Sequence, residues 1–167
     1  MKLFILLLAG YTLLSQPHFA VAQSNRLTDL RQCCEKILKE SPRIYFLSKR
    51  DGKMQMQVRG IYIHGSALFL LMQMTNRSEG DYAIDSIRFL VTRNGLMEAG
   101  SPRVEPIYIH DGTTTITGYS RVASVFVLPR FALPAGRQLL IDVQRKKGGR
   151  HLHIGISNWT LAKARII

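Results

Sequence analysis

The chain has 167 residues, 46% hydrophobic and 20% charged, a size and balance that suit one domain with a real hydrophobic core; no second domain is expected. Lys and Arg outnumber Asp and Glu by 23 to 11, a formal charge of +12, which favours contact with anionic surfaces and says nothing about the fold. The two cysteines are adjacent, Cys33 and Cys34, which excludes a CxxC redox or zinc pattern.

The opening MKLFILLLAGYTLLSQPHFAVAQ places Lys2 before an apolar run from Leu3 to Leu14, then Ala20 and Ala22 spaced as A-x-A. This reads as a secretory signal peptide over residues 1–22, cut after Ala22, because the run is about twelve residues against the ~20 that a spanning helix needs. The mature domain, 23–167, then carries +12 − 1 = +11, since Lys2 is the one charge removed. An exported protein, periplasmic or associated with the outer membrane through its partners, is the expectation.

In LTDLRQCCEKILKE, Leu27, Leu30, Cys34, Ile37 and Leu38 fall on one helical face, with Thr28 as a cap and Ser41-Pro42 as a stop. The spacing predicts a short helix over about 27–40. Helical neighbours point about 100° apart, so Cys33 and Cys34 cannot bridge each other. Cys34 is a candidate for a disulfide to another chain in an oxidising compartment, and a small buried side chain is the alternative.

After Pro42 the period becomes alternating. KMQMQVRGIYI and ALFLLMQMT flank His64-Gly65-Ser66, and a three-residue loop sets Tyr62 opposite Leu68, Val58 opposite Met72 and Met56 opposite Met74. DYAIDSIRFLVTR follows with Ile87, Phe89 and Val91 on one side and Arg88 on the other, and Asn94-Gly95 offers a tight turn. A strand around Pro106 to His110, an Asp111-Gly112 turn and a run from Arg121 to Leu128 buried on both sides come next. Pro129 and Pro134 bracket a kinked segment. Seven or eight short strands separated by turn signals predict an Ig-like antiparallel β-sandwich with one short N-terminal helix.

RQLLIDVQ, the turn KKGG and RHLHIGIS form the last hairpin. A four-residue loop puts Val143 against Leu152, Ile141 against Ile154 and Leu139 against Ile156 on the core side, with Gln144 meeting His151 and Asp142 meeting His153 outside. A two-residue Gly-Gly loop loses one apolar pair. The tip collects Arg145, Lys146, Lys147 and Arg150, which are the candidate partner-binding residues; a solvated turn is the simpler reading of the same charges.

His151 and His153, two apart on one strand face, have a spacing that metal ligands can use, but Asp142 is the one carboxylate nearby, and no metal or cofactor is expected. His64 and His110 lie beside glycine turns, with nothing in the sequence to orient one toward the other. There is no G-x-S-x-G elbow and no phosphate-binding glycine loop ahead of a helix, so the chain is not expected to be an enzyme; a metal-dependent enzyme is the remote alternative. Direct nucleic-acid contact is the stronger rival, but aromatic stacking platforms beside the tip cations are missing.

RGIYIHGSALFLLMQMTNRS, IDSIRFLV, VFVLPRFALPAGRQLLIDV and KGGRHLHIGISNWTLAKARII, in that order, resemble the shared domain of TraN proteins from Bacteroides-type conjugative transposons, from about Cys34 to the last residue. The resemblance implies a structural or interaction component of a type IV secretion-like conjugation apparatus, similar to a β-sandwich subunit at its outer-membrane end, with other apparatus proteins or further copies as partners and no catalytic residues. The features it carries over are structural: Gly60 to Ile63, Asn76 to Ser78, Asp85 with Arg88 and Phe89, and Gly148 to His151. Typical members carry a larger region ahead of this domain, and a basic stretch with threonine where this chain has RNGLMEAGSPR. A module for an anionic polymer, nucleic acid or glycan, is the alternative function.

Overall fold

The computed structural model describes residues 17–93, 95, 97–98, 100–146, 148 and 151–167, with side chains from Asn25 onward. Helix α1 (Pro17–Leu38) leads to β1 (Ser48–Asp51), β2 (Met54–His64), β3 (Ala67–Asn76) and β4 (Tyr82–Arg93). Two short strands, β5 (Tyr108–His110) and β6 (Thr115–Ile116), precede β7 (Arg121–Pro129), β8 (Arg137–Arg145) and β9 (Leu152–Ser157). The short helix α2 (Asn158–Ala162) and β10 (Arg165–Ile166) end the chain. One sheet has the order β1-β2-β3-β7-β5, with β10 also beside β2; the other is β6-β4-β8-β9. Every pairing is antiparallel except that of β10 with β2.

This is the mainly β sandwich with an N-terminal helix that the patterning predicts. The strands beyond the expected seven or eight are short edge pieces. Alternate side chains of both sheets meet in one core: Met56, Val58, Leu70, Met72 and Leu128 come from the first sheet, and Phe89, Leu139, Ile141, Leu152 and Ile156 from the second. Phe89 packs on Phe126 across it, ring centroids 5.3 Å apart.

A second, smaller core lies on the outer face of the first sheet, where Leu30, Cys34 and Ile37 of α1 meet Tyr62, Phe69, Leu71, Val125 and Val127. The molecule is therefore three layers, helix on sheet on sheet. That explains why ALFLLMQM and VFVL lack polar alternation: their strands are central and covered on both faces. The helical face agrees at Leu30, Cys34, Ile37 and half-buried Leu38, but Leu27, a turn earlier, is 45% exposed. Helix α1 also starts at Pro17, ten residues before the expected 27, and ends at Leu38. The expected cleavage point after Ala22 falls inside α1, upstream of all its packed residues, and residues 1–16 lie outside the described residues.

The β2–β3 register is half as expected. Val58 faces Met72 and Met56 faces Met74, but Tyr62 faces Phe69, not Leu68. The turn is two residues, with His64 opposite Ala67 and Gly65 at φ +55°, which shifts the near end by one. A bulge at Arg59, between Val58 and Gly60, restores the far end. The bulge changes which face each residue meets: Met54, Met56 and Val58 point to the sandwich core, as does Ile61, while Tyr62 turns toward α1. Only glycine fits at position 60, since a Cβ there would come within 2.5 Å of the Tyr62 ring.

The last hairpin has the register predicted for its core face, Val143 with Leu152, Ile141 with Ile154 and Leu139 with Ile156. Of the tip, Lys147, Gly149 and Arg150 lie outside the described residues, as does Asn94 of the expected 94–95 turn. Beyond that turn the chain returns along β4 by a single bridge between Leu90 and Arg103.

Candidate functional site

Two polar clusters stand out, on opposite sides of the sandwich. The first is built on the outer face of the second sheet around Asp142, which is fully buried although it points away from the core. Strand β8 lies between β4 and β9, so donors reach it from both sides. Arg88 donates through Nη2 at 2.6 Å and Nε at 3.1 Å to Oδ2, and His151 Nδ1 stands 3.1 Å from Oδ1. A buried carboxylate stripped of water needs this pairing.

The pairing around Asp142 differs from the expected one. Asp142 is level with His153 along the ladder, but His153 is exposed, and the histidine that reaches the carboxylate is the diagonal His151. The ladder ends at Val143 and Leu152, so the expected Gln144–His151 pair does not form. Gln144 instead accepts from Ser86 Oγ at 3.4 Å. Both carboxylate oxygens are occupied, which makes this cluster a brace between three strands.

At the tip itself, Arg145 lies opposite Ile84 of β4, its guanidinium 5.2 Å from the centre of the Tyr82 ring, while Lys146 is exposed. Arg145 is therefore partly committed to the fold, and Lys146 is the described tip residue free to meet a partner. A shallow groove between β4 and β5, lined by Ile84, Asp85, Ile87, Ile109 and Phe126, opens to solvent nearby on the sequence of β4.

The second cluster joins α1 to the β2–β3 turn. Asp29 and Cys33, one turn apart on α1, face His64 at the end of β2, and one donor atom from each lies within 4.8 Å of the others. His64 Nε2 is 3.4 Å from Asp29 Oδ2, and His64 Nδ1 is 2.8 Å from the main-chain oxygen of Ile167. Burial, then the charge of Asp29, push the Cys33 thiol up, opposed by Lys36. Cys34, the other sulfur, is enclosed beneath α1 and is pushed up to about 12, by burial first and then by Cys33, Asp111 and Glu35. The half-exposed thiol is thus Cys33, and the one singled out for intermolecular pairing, Cys34, is interior.

Sequence reading missed this cluster because its members sit in different elements, 31 residues apart between Cys33 and His64. The i, i+4 spacing of Asp29 and Cys33 is the one local signal. Among the described residues it is the group that could hold a metal. His110 is elsewhere, 3.3 Å from Tyr108 Oη and 3.8 Å from Asp111 Oδ2.

The residues behind the family resemblance work inside the scaffold. Gly60 follows the bulge at Arg59 and leaves room for the Tyr62 ring, and Asp85 is the unpaired residue where the β4–β8 register shifts between Ile84 and Ser86. Buried Asn76 donates through Nδ2 to the carbonyls of Gly80 at 2.8 Å and Ile116 at 3.1 Å and accepts from Ser78 N at 3.0 Å, tying the end of β3 to β6. Arg88 and His151 clamp Asp142, and Gly148 takes φ +69° in the last turn.

Fold and clusters together define a helix-covered, two-sheet β-sandwich protein. Residues 28–166 match a family model described as Domain of unknown function (DUF4138), and the chain belongs to that family. No curated protein and no solved structure matches the chain. No helix among the described residues is long and apolar enough to cross a membrane.

Proposed function

We propose that this DUF4138 protein is a TraN-type, non-enzymatic structural and interaction subunit of a conjugative DNA-transfer apparatus, exported to the periplasm and held at the outer membrane by its partners. The observation that carries the interaction part is the edge of the first sheet beyond β2, where β1 and β10 lie. Tyr45 and Phe46, just before β1, are 68% and 69% exposed, and Ile166 of β10 is 80% exposed. Both segments hydrogen-bond to β2: Arg43 N and Ile44 N donate to Arg59 O, and Ile167 N donates to Ile63 O. Rings and an aliphatic side chain left in water along one edge, with Arg43 and Arg165 beside them, have the composition of an interface core with a charged rim. The architectural use of the resembling residues supports a part that is built into something larger.

Co-purification from a donor cell tests the reading. Other transfer proteins should accompany the wild type, and Tyr45→Ser/Phe46→Ser should release them while the purified variant stays folded. Recovery of nucleic acid or glycan in their place would favour an anionic-polymer module and overturn the subunit reading. Export has its own check: N-terminal sequencing of the envelope form should begin at Gln23, which leaves Leu30, Cys34 and Ile37 in place. A protein starting at Met1 in the cytoplasm would contradict it.

A further inference from the structure

We propose that Asp29, Cys33 and His64 form a zinc site that fastens α1 to the β2–β3 turn. This inference does not depend on which assembly the protein joins. The donors are a carboxylate, a thiol and an imidazole, the borderline set that suits Zn²⁺ among common divalent ions. Tetrahedral zinc with ordinary bond lengths separates its N, O and S ligands by about 3.3–3.7 Å. His64 Nε2 and Asp29 Oδ2 already stand at 3.4 Å, and the whole triad spans at most 4.8 Å, so small side-chain rotations complete the geometry.

His64 is oriented for the task. With Nδ1–H donating to the Ile167 oxygen at 2.8 Å, Nε2 is the ring nitrogen turned toward the Asp29 carboxylate. A proton on Nε2 or a metal ion can join these two atoms, and the metal ion also engages the Cys33 sulfur in the same cluster. The arrangement, one ring nitrogen hydrogen-bonded to a main-chain oxygen and the other aimed at the ion, is how metal-binding histidines are held. Asp29 and Cys33 come from successive turns of one helix face, so they approach from the same side.

Charge also balances. Zn²⁺ displaces the Cys33 thiol proton to solvent, and the thiolate and the Asp29 carboxylate then supply two negative charges to offset those of the ion. The side chains of Asp29 and His64 are 55% and 40% exposed, which places the fourth coordination position on the solvent side, for a water. The ion would link α1, β2 and, through His64, the segment at Ile167.

The test is a zinc titration of the purified full chain with thiols kept reduced, followed by Co²⁺ as a spectroscopic probe. One zinc per chain, a thiolate-to-cobalt charge-transfer band and a melting temperature that rises with free zinc are expected. Cys33→Ser should abolish the band, Asp29→Asn and His64→Gln should each weaken binding by about tenfold or more, and His153→Gln on the opposite side should change nothing. These exposed or half-exposed positions make the variants tolerable to the fold. Absence of saturable zinc binding would mean a plain histidine–carboxylate contact and would overturn the site. So would a band that survives Cys33→Ser, binding lost in His153→Gln, or one zinc per two chains.

Discussion

The outer face of the first sheet is closed by a helix, whose Leu30, Cys34 and Ile37 lie on Tyr62, Phe69 and Val127, while the outer face of the second sheet is closed by charge, with Arg88 and His151 on Asp142. The two solutions behave differently under perturbation. Apolar closure is roughly proportional to area and loses stability in steps as atoms are removed. Ionic closure in a dry position holds only while every partner is present, because removing one leaves a charge that water cannot reach.

Predictions that break or sharpen the contrast can be ranked by size. Phe89→Ala, in the core shared by both sheets, sets the scale: a loss of about 3–5 kcal/mol in urea unfolding, with little regard to how either outer face is closed. Arg88→Met should cost about 3 kcal/mol, because the buried Asp142 carboxyl is left with only His151 beside it. The sharper half of that experiment is the pair Arg88→Met/Asp142→Leu, which should recover at least half of the loss. If the double variant is less stable than the single, the brace is worth more than an apolar filling and the contrast fails.

On the helix side, Ile37→Ala should cost about 2–3 kcal/mol as a cavity and some of the transfer energy are lost. Hydrogen exchange should then rise in α1 before it rises in β8 or β9. Tyr62→Phe is expected to go the other way. The Tyr62 hydroxyl is buried with no hydrogen-bond partner among the described residues, so its removal should stabilise by up to about 1 kcal/mol, read as a higher urea midpoint at unchanged slope. The smallest effect belongs to the basic tip: glutamate at Lys146, Lys147 and Arg150 should alter stability by under about 0.5 kcal/mol each. Any partner binding lost in that triple variant should be the salt-dependent part, since exposed charges are screened over about 8 Å at physiological ionic strength.

Much of the layout was legible before any coordinates. Alternation in KMQMQV and in IRFLV identified the inward residues, and pairing the apolar positions of the last hairpin was enough to obtain its register, because a slip of one would expose Val143, Ile141 and Leu139 together. The helix face was readable from Leu30, Cys34 and Ile37. Strand β1 was not: SKRD is polar, and only the Asp51-Gly52 turn, with Gly52 at φ +56°, betrays a hairpin with β2. The bulge at Arg59 was hidden too, since a shortened turn and an extra residue cancel at Val58 and leave the far end of the ladder as predicted.

The sequence by itself determined periods, and with them the strands, the helix and which side chains leave water, because the hydrophobic effect acts on each residue's own chemistry and its spacing along the chain. What only the tertiary structure decided is which polar groups meet. His151 rather than His153 reaches Asp142, since the carboxylate lies buried between two neighbouring strands and takes whichever donor bends to it. His64 faces Asp29 and Cys33 because α1 packs on the outer face of the first sheet, beside the end of β2. Hydrogen bonds and metal coordination are short-ranged and directional, so they are fixed only when packing has brought distant segments to within a few ångströms.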